Sequence, residues 1–239
     1  MSTRLDVQIA RQPDDVTCGP TCLQAVYRYY GSDPDIHQLV EEVRMLDEGG
    51  TMAVFLANHA LENGYRAHIY TFNLELFDPS WFAAPRPDLA QCLQAQASHK
   101  SKRKLQIETQ GYLRFLELGG ELHYQDLNAK LLRRYLRQGI PILTGLSSTC
   151  LYRSTREIPA TNAEDAIRGE PAGHFVVISG YDRKTRTVHI ADPWPEHPYE
   201  PPHNYEVGLD RLINAILLGS QTYDSNLLII QPKISKKRS

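Results

Sequence analysis

The chain has 239 residues, 41% of them hydrophobic and 23% charged, which suits a soluble globular protein able to bury a proper core. A formal net charge of -2 argues against a general nucleic-acid binder. Its four cysteines, at 18, 22, 92 and 150, are too irregularly spaced for a disulfide framework or a zinc pattern, and no run approaches the ~18 apolar residues of a membrane helix.

In chain order, residues 5–11 read as a short extended segment leading to Gln12. The stretch Gln12-Pro13-Asp14-Asp15-Val16-Thr17-Cys18-Gly19-Pro20-Thr21-Cys22 then reads as a loop entering a helix. Leu23, Val26, Tyr27 and Tyr30 fall at helical spacing, Gly31 is a stop signal, and Pro20 fits a first turn where its missing N–H costs nothing. Cys18 therefore sits where free N–H groups and the positive end of a helix face its sulfur, a setting that favours thiolate over thiol. Gln12 can fold back and, with the Cys18 backbone N–H, form an oxyanion hole. Taken alone, a cysteine is more often a small buried hydrophobe. Cys22, one helical turn on, is expected to fill that role in the core.

A second helix is expected after Ser32-Asp33-Pro34, with Ile36, Leu39, Val40 and Val43 on its apolar face, and a third after Thr51, ended by Gly64. His37 and His59 read as surface or cap residues, and 65–70 alternates as a strand. From about 76 to 119 the chain reads as a helical insertion, with helices over 89–97 and 105–118 joined by Ser98-His99-Lys100-Ser101-Lys102-Arg103-Lys104. Two readings of that basic joint stand: a solvated connection between helices, or part of a lid presenting cations to an acidic peptide substrate. Next come an amphipathic helix through Leu127, Leu131, Leu132, Tyr135 and Leu136, a buried-type strand over 140–145, and a polar loop carrying Cys150 as a passive thiol. The polar loop 153–171 is placed to wall a substrate groove.

Gly173-His174-Phe175-Val176-Val177-Ile178-Ser179-Gly180 is β-rich, and Thr187-Val188-His189-Ile190 reads as its return strand, ended by Asp192-Pro193. A hairpin centred between Arg183 and Lys184 puts Asp192 beside His174, where it could fix the imidazole in one tautomer. Singly, each has an ordinary reading, a satisfied strand histidine and an Asp-Pro turn. The order Gln12, Cys18, His174, Asp192 gives them a joint one. His189 falls on the opposite face from Asp192 and reads as structural, while Trp194 is placed to shield the acid. A last helix over 209–218, a last strand over 226–231 and a disordered basic tail over 233–239 complete the chain.

The residues Gln12…Cys18-Gly19-Pro20-Thr21, His174-Phe175-Val176-Val177 and Asp192-Pro193 resemble the bacteriocin-processing, double-glycine type of papain-like cysteine peptidase. Tyr29-Tyr30-Gly31 and the passage Gly64-Tyr65-Arg66-Ala67 are similar to that family too, so the resemblance spans roughly 8–75 and 130–200. It implies an α+β papain-like fold in a single domain over 1–232: an N-terminal helical half carrying Cys18, an antiparallel β half carrying His174 and Asp192, and the helical insertion. It further implies a peptide or isopeptide-type amide cleaved through a thioester on Cys18, with no cofactor and no metal. Two other functions share this scaffold: transpeptidation or acyl transfer from the same thioester, and peptide binding without turnover. Stand-alone relatives resemble proteins encoded near ATP-grasp peptide ligases, a possible functional link. The start Met-Ser-Thr-Arg-Leu-Asp lacks the apolar core of a signal peptide, so a reducing cytoplasm is expected, with no nucleic-acid or membrane partner.

Overall fold

Successive residues of the strand Asn226–Pro232 enter two different cores: Leu228 and Ile230 pack in one cluster, Leu227 and Ile229 in the other. This follows from the twofold periodicity of a strand covered on both faces, and it organises the molecule. The structure, a computed structural model, describes residues 2–47, 49–222 and 225–233. Along it run β1 (Ser2–Arg4), α1 (Cys18–Tyr29), α2 (Ile36–Glu42), α3 (Ala53–Glu62), β2 (Tyr65–Thr71), α4 (Leu89–His99), α5 (Arg103–Glu117) and β3 (Glu121–His123). Then follow α6 (Ala129–Leu136), β4 (Ile142–Ser147), α7 (Ser148–Tyr152), β5 (Glu157–Ile158), β6 (Ala163–Glu164), β7 (Gly173–Asp182), β8 (Thr187–Ala191), β9 (Asn204–Gly208), α8 (Leu209–Leu218) and β10 (Asn226–Pro232).

One sheet has the order β3-β2-β10-β4-β7-β8-β9, with β1 pairing β7 beyond the stretch that β4 covers. Its pairs are antiparallel except β2 with β3. Residues of α1 to α5 share one core with one sheet face, and α6, α7 and α8 share the second core with the other. The α+β architecture is as expected, but the β half carries helices of its own. Within the stretch read as an insertion, Leu93, Leu105, Tyr112 and Phe115 are buried in the same core as α1 and α3. A Cβ on Gly111 of α5 would stand 2.8 Å from Phe55 and Val54 of α3, so the close crossing of these helices needs glycine there.

Several local expectations shift. The strand near the N-terminus is residues 2–4 and not 5–11. Asp35 caps α2 by accepting from the His37 and Gln38 backbone N–H, and α3 starts after Met52, since the Thr51 hydroxyl is drawn away to the Arg44 carbonyl. His59 is no surface residue: it is buried, 2.8 Å from the Tyr27 hydroxyl and 3.0 Å from Glu42. The polar stretch around Cys150 is the helix α7, capped by Ser147, and β3 and β9 fall where no strand was read. The tail expected over 233–239 lies, from 234 on, outside the described residues. Among the described residues no helix is long and apolar enough to cross a membrane.

Candidate active site

Cys18 is the first residue of α1, and no side chain caps that helix start. Asp14 shapes the loop before it: its carbonyl accepts from the Gln12 side-chain amide at 2.7 Å and from the Thr17 hydroxyl at 3.3 Å, while its carboxylate accepts the Val16 N–H at 3.0 Å. Gly19 follows because the helix start lies hard against its neighbours. A Cβ there would stand 2.6 Å from Thr51 and 3.3 Å from Phe175. Phe175 belongs to β7, so this approach brings the thiol to the strand that carries His174.

His174 is buried, with its Nε2 2.8 Å from Asp192 Oδ1. A carboxylate oxygen can only accept, so Nε2 carries the proton and Nδ1 is left for the Cys18 side chain, which hydrogen-bonds the same ring. The β7–β8 hairpin reaches this geometry by a different register from the one expected. Asp182 pairs with Thr187, a bulge falls between Ile178 and Gly180, and the ladder stops at Val177 opposite Ala191. Asp192 thus lies past the end of the ladder and meets His174 through side chains alone.

Asp192 is fully buried and richly served. Oδ1 also accepts the Trp194 N–H at 3.0 Å, and Oδ2 accepts the hydroxyls of Tyr152 and Tyr205, each at 2.6 Å. Burial by itself would push this carboxyl up, yet the His174 charge and the hydrogen bonds from His174 and both tyrosines bring it below its ordinary range. For His174, burial opposes the charged ring, but the Asp192 carboxylate and the hydrogen bonds the ring makes to Asp192 and Cys18 win and raise it to about 10. The tyrosines escaped the sequence reading because Tyr152 sits on a helix read as a loop and Tyr205 on a strand not read at all.

Gln12 is anchored by its backbone N–H to the Pro193 carbonyl, 2.9 Å, so the loop before Cys18 is pinned to the residue after Asp192. Its amide gives one of two N–H groups to Asp14. Cys22 is buried and donates to the Phe175 carbonyl at 3.2 Å; burial, then the nearby Cys18 and Asp192, push its thiol well up, so it is a passive core group. Cys150 lies half-buried on α7, and His189 faces Glu206 at 3.3 Å.

Two clefts meet at His174, sharing Asp15 and Gly173. One, of about 230 Å³, holds Cys18, Thr51 and Lys104; the other, of about 380 Å³, is lined by Gln12, Trp194 and the carboxylates Glu157 and Glu164. The loop 153–171 thus walls the second cleft. Three residues of the basic joint are engaged by their own chain: Lys100 bonds the Glu75 carbonyl and Gln96, Lys102 pairs with Glu75, and Arg103 with Asp47.

The Peptidase C39 family pattern matches residues 6–88, and that of the Peptidase_C39 like family matches residues 92–207. Among solved structures, one from Bacillus anthracis assigned as a C39-like peptidase is 17% identical, covers 99% of this chain and 100% of that chain, and has a TM-score of 0.53. A double glycine motif protease from an AMS/PCAT transporter, solved in complex with a leader peptide, is 13% identical over 97% of this chain and 95% of that one, with a TM-score of 0.47. The peptidase domain of Streptococcus ComA is 15% identical over 95% and 99%, with a TM-score of 0.46. No curated protein matches the chain. The fold, shared with the Bacillus structure, is that of a papain-like α+β peptidase. Within that class, the two family matches make the chain a C39-like cysteine peptidase.

Proposed function

We propose that this peptidase cleaves a peptide or isopeptide-type amide through a thioester on Cys18, with His174 as acid and base, Asp192 as orienter and Gln12 as oxyanion donor. The observation that supports it most directly is the His174 ring held between Asp192 Oδ1 at 2.8 Å and the Cys18 side chain. The Cys18 sulfur attacks the carbonyl carbon. The resulting oxyanion rests on the Cys18 backbone N–H and the second Gln12 side-chain N–H, and the imidazolium Nδ1 proton passes to the leaving nitrogen as the C–N bond breaks. Water then adds to the thioester, giving its proton to His174, and the acid leaves Cys18 free. An amine in place of that water would make the same intermediate a transpeptidase; product analysis with and without added amine tells the two apart.

The clefts on either side of His174 suit an extended peptide, and their linings differ in charge. Lys104 lines the cleft that holds Cys18, Glu157 and Glu164 line the other, and Asp15 borders both. We assign a basic side chain or amino group of the substrate to the carboxylate side, and an acidic one to the Lys104 side. The described residues act as one peptidase domain, with the inserted helices built into its core. All four cysteines are free thiols, which favours a reducing compartment such as the cytoplasm. The link to an ATP-grasp ligase rests on the family resemblance alone. Iodoacetamide labelling at mildly acid pH, followed by peptide mapping, tests the central reading: Cys18 is alkylated first in the native protein, and equal labelling of Cys150 or Cys92 overturns it.

A further inference from the structure

At the far edge of the sheet, well apart from β7, three side chains with no part in the reaction converge. His68 of β2 and Glu121 of β3 are register partners in the one parallel pair, and His123 lies two residues beyond Glu121 on the same face of β3. The intervening Leu122 turns into the core, so both β3 ligand-type side chains are directed to the side where His68 stands. His68 Nδ1 is 3.3 Å from Glu121 Oε2, His123 Nε2 is 3.4 Å from His68 Nδ1, and His123 Nε2 is 3.7 Å from the same Glu121 oxygen. Around an ion with bonds of about 2.0–2.2 Å in tetrahedral geometry, donor atoms stand about 3.3–3.6 Å from one another. Two of the three donor–donor distances hold that spacing, and the third, 3.7 Å, lies just beyond it.

We propose that His68, Glu121 and His123 form a binding site for a divalent transition metal of the Zn²⁺ type. The donor set selects the ion. Two nitrogens and a single carboxylate suit a borderline ion such as Zn²⁺, whereas Ca²⁺ and Mg²⁺ require a shell of oxygens. Arg86, bonded to the Leu122 carbonyl, and Arg134, 3.5 Å from the Tyr70 hydroxyl, flank the site. With guanidiniums so close, an ion is held here by coordinate bonds and not by a negative field. Glu121 is largely exposed and both histidines are partly so, which leaves the fourth position open to water. The place in the fold gives the site a purpose. β3 is a three-residue edge strand whose only strand partner among the described residues is β2, and it is where the chain rejoins the sheet after the inserted helices α4 and α5. An ion bridging His68 to Glu121 and His123 clasps that return to the sheet.

The test uses the full chain carrying Cys18→Ala, so that the thiol beside His174 does not compete for metal. After chelator treatment it is titrated with Zn²⁺ by calorimetry and, separately, with Co²⁺ by visible absorption. The expected result is one equivalent bound, the intense absorption of four-coordinate Co²⁺, a higher melting temperature with Zn²⁺, and slower amide exchange in β3. Glu121→Gln is expected to weaken binding at least tenfold, and His68→Gln with His123→Gln to abolish it, while circular dichroism stays native. No binding at one equivalent, or an affinity unchanged in the double variant, overturns the site and leaves a hydrogen-bonded histidine pair. Should the double variant fail to fold, Glu121→Gln decides alone: unchanged affinity overturns the proposal.

Discussion

His174 gives its Nε2 to Asp192 Oδ1 at 2.8 Å, and this contact fixes which ring nitrogen faces Cys18. It also sets the charge of the ring. The pKa of His174 is raised to about 10 although burial opposes it, because the buried carboxylate acts from within a low-dielectric site. The His174 ring then stays protonated until the pH climbs through about 10, and the alkaline limb of kcat/KM is expected there. In Asp192→Asn the charge is lost while burial remains, so that limb moves to lower pH. A pH–rate profile measures the shift, and an unmoved alkaline limb in Asp192→Asn would show that another group sets it.

The same shift carries a stability signature. A group whose folded pKa lies above its unfolded value stabilises fully below the unfolded value, near 6.5 for histidine, and loses that contribution as pH rises through the folded value. The melting temperature is therefore expected to fall between about pH 6.5 and pH 10, and to fall less steeply in His174→Gln. Identical slopes in the two proteins would count against the ion pair.

Cys18→Ala and His174→Ala are expected to lower turnover by roughly 10⁴-fold or more; the melting temperature should change little in Cys18→Ala but fall in His174→Ala, which leaves the buried Asp192 carboxylate without its cation. Cys22→Ala, which removes a buried sulfur hydrogen-bonded to Phe175, should stay active and lose about 1 kcal/mol of stability. Cys150→Ala should be active too. Loss of activity in Cys150→Ala with Cys18→Ala intact would reverse the assignment of the nucleophile.

What the sequence disclosed depended on how local each signal was. The helix start at Cys18, the α3–Gly64–β2 passage and the β7–β8 pair each declare themselves within about ten residues by periodicity and punctuation. The hairpin register did not, because a bulge at Ser179 shifts the ladder and leaves no mark of its own in an apolar strand. Nor did β3, whose three residues form a strand only because β2 offers an edge. Tyr152 and Tyr205 lie 40 and 13 residues from the carboxylate they serve, and nothing in their own surroundings marks them as its donors.

Those tyrosines make a separable test of the carboxylate. Tyr152→Phe or Tyr205→Phe removes one of two 2.6 Å donors to Asp192 Oδ2, a buried charged acceptor. Hydrogen bonds to charged groups contribute roughly 1.5–3 kcal/mol, so each variant should be destabilised by that order. The hydrogen bonds help hold Asp192 below its ordinary range, so losing one raises its pKa and shifts the acid onset of instability to higher pH. Denaturant melts across pH 3–7 report both effects. Wild-type stability and pH dependence in the double phenylalanine variant would mean that the tyrosines only fill space.

The two charged linings beside His174 predict opposite preferences. Burial and the charges of Glu164 and Asp15 together push the Glu157 carboxyl up, the expected state of a carboxylate group facing its own kind. A substrate cation in that cleft relieves the repulsion. Glu157→Gln with Glu164→Gln should therefore raise KM for peptides with Lys or Arg on that side by roughly twofold to tenfold, leave neutral peptides unaffected, and flatten the salt dependence of KM. The kcat should hold, because these contacts bind ground and transition states alike. The basic joint supplies the contrast. Lys100, Lys102 and Arg103 bond Glu75, Gln96 and Asp47 and line neither cleft at His174, so replacing those three by Ser should leave KM for acidic peptides within about twofold, whereas Lys104→Ser, in the lining of the cleft that holds Cys18, should raise it. A large KM rise in the triple variant with Lys104 intact would restore the joint as a recruiting surface and the inserted helices as a lid.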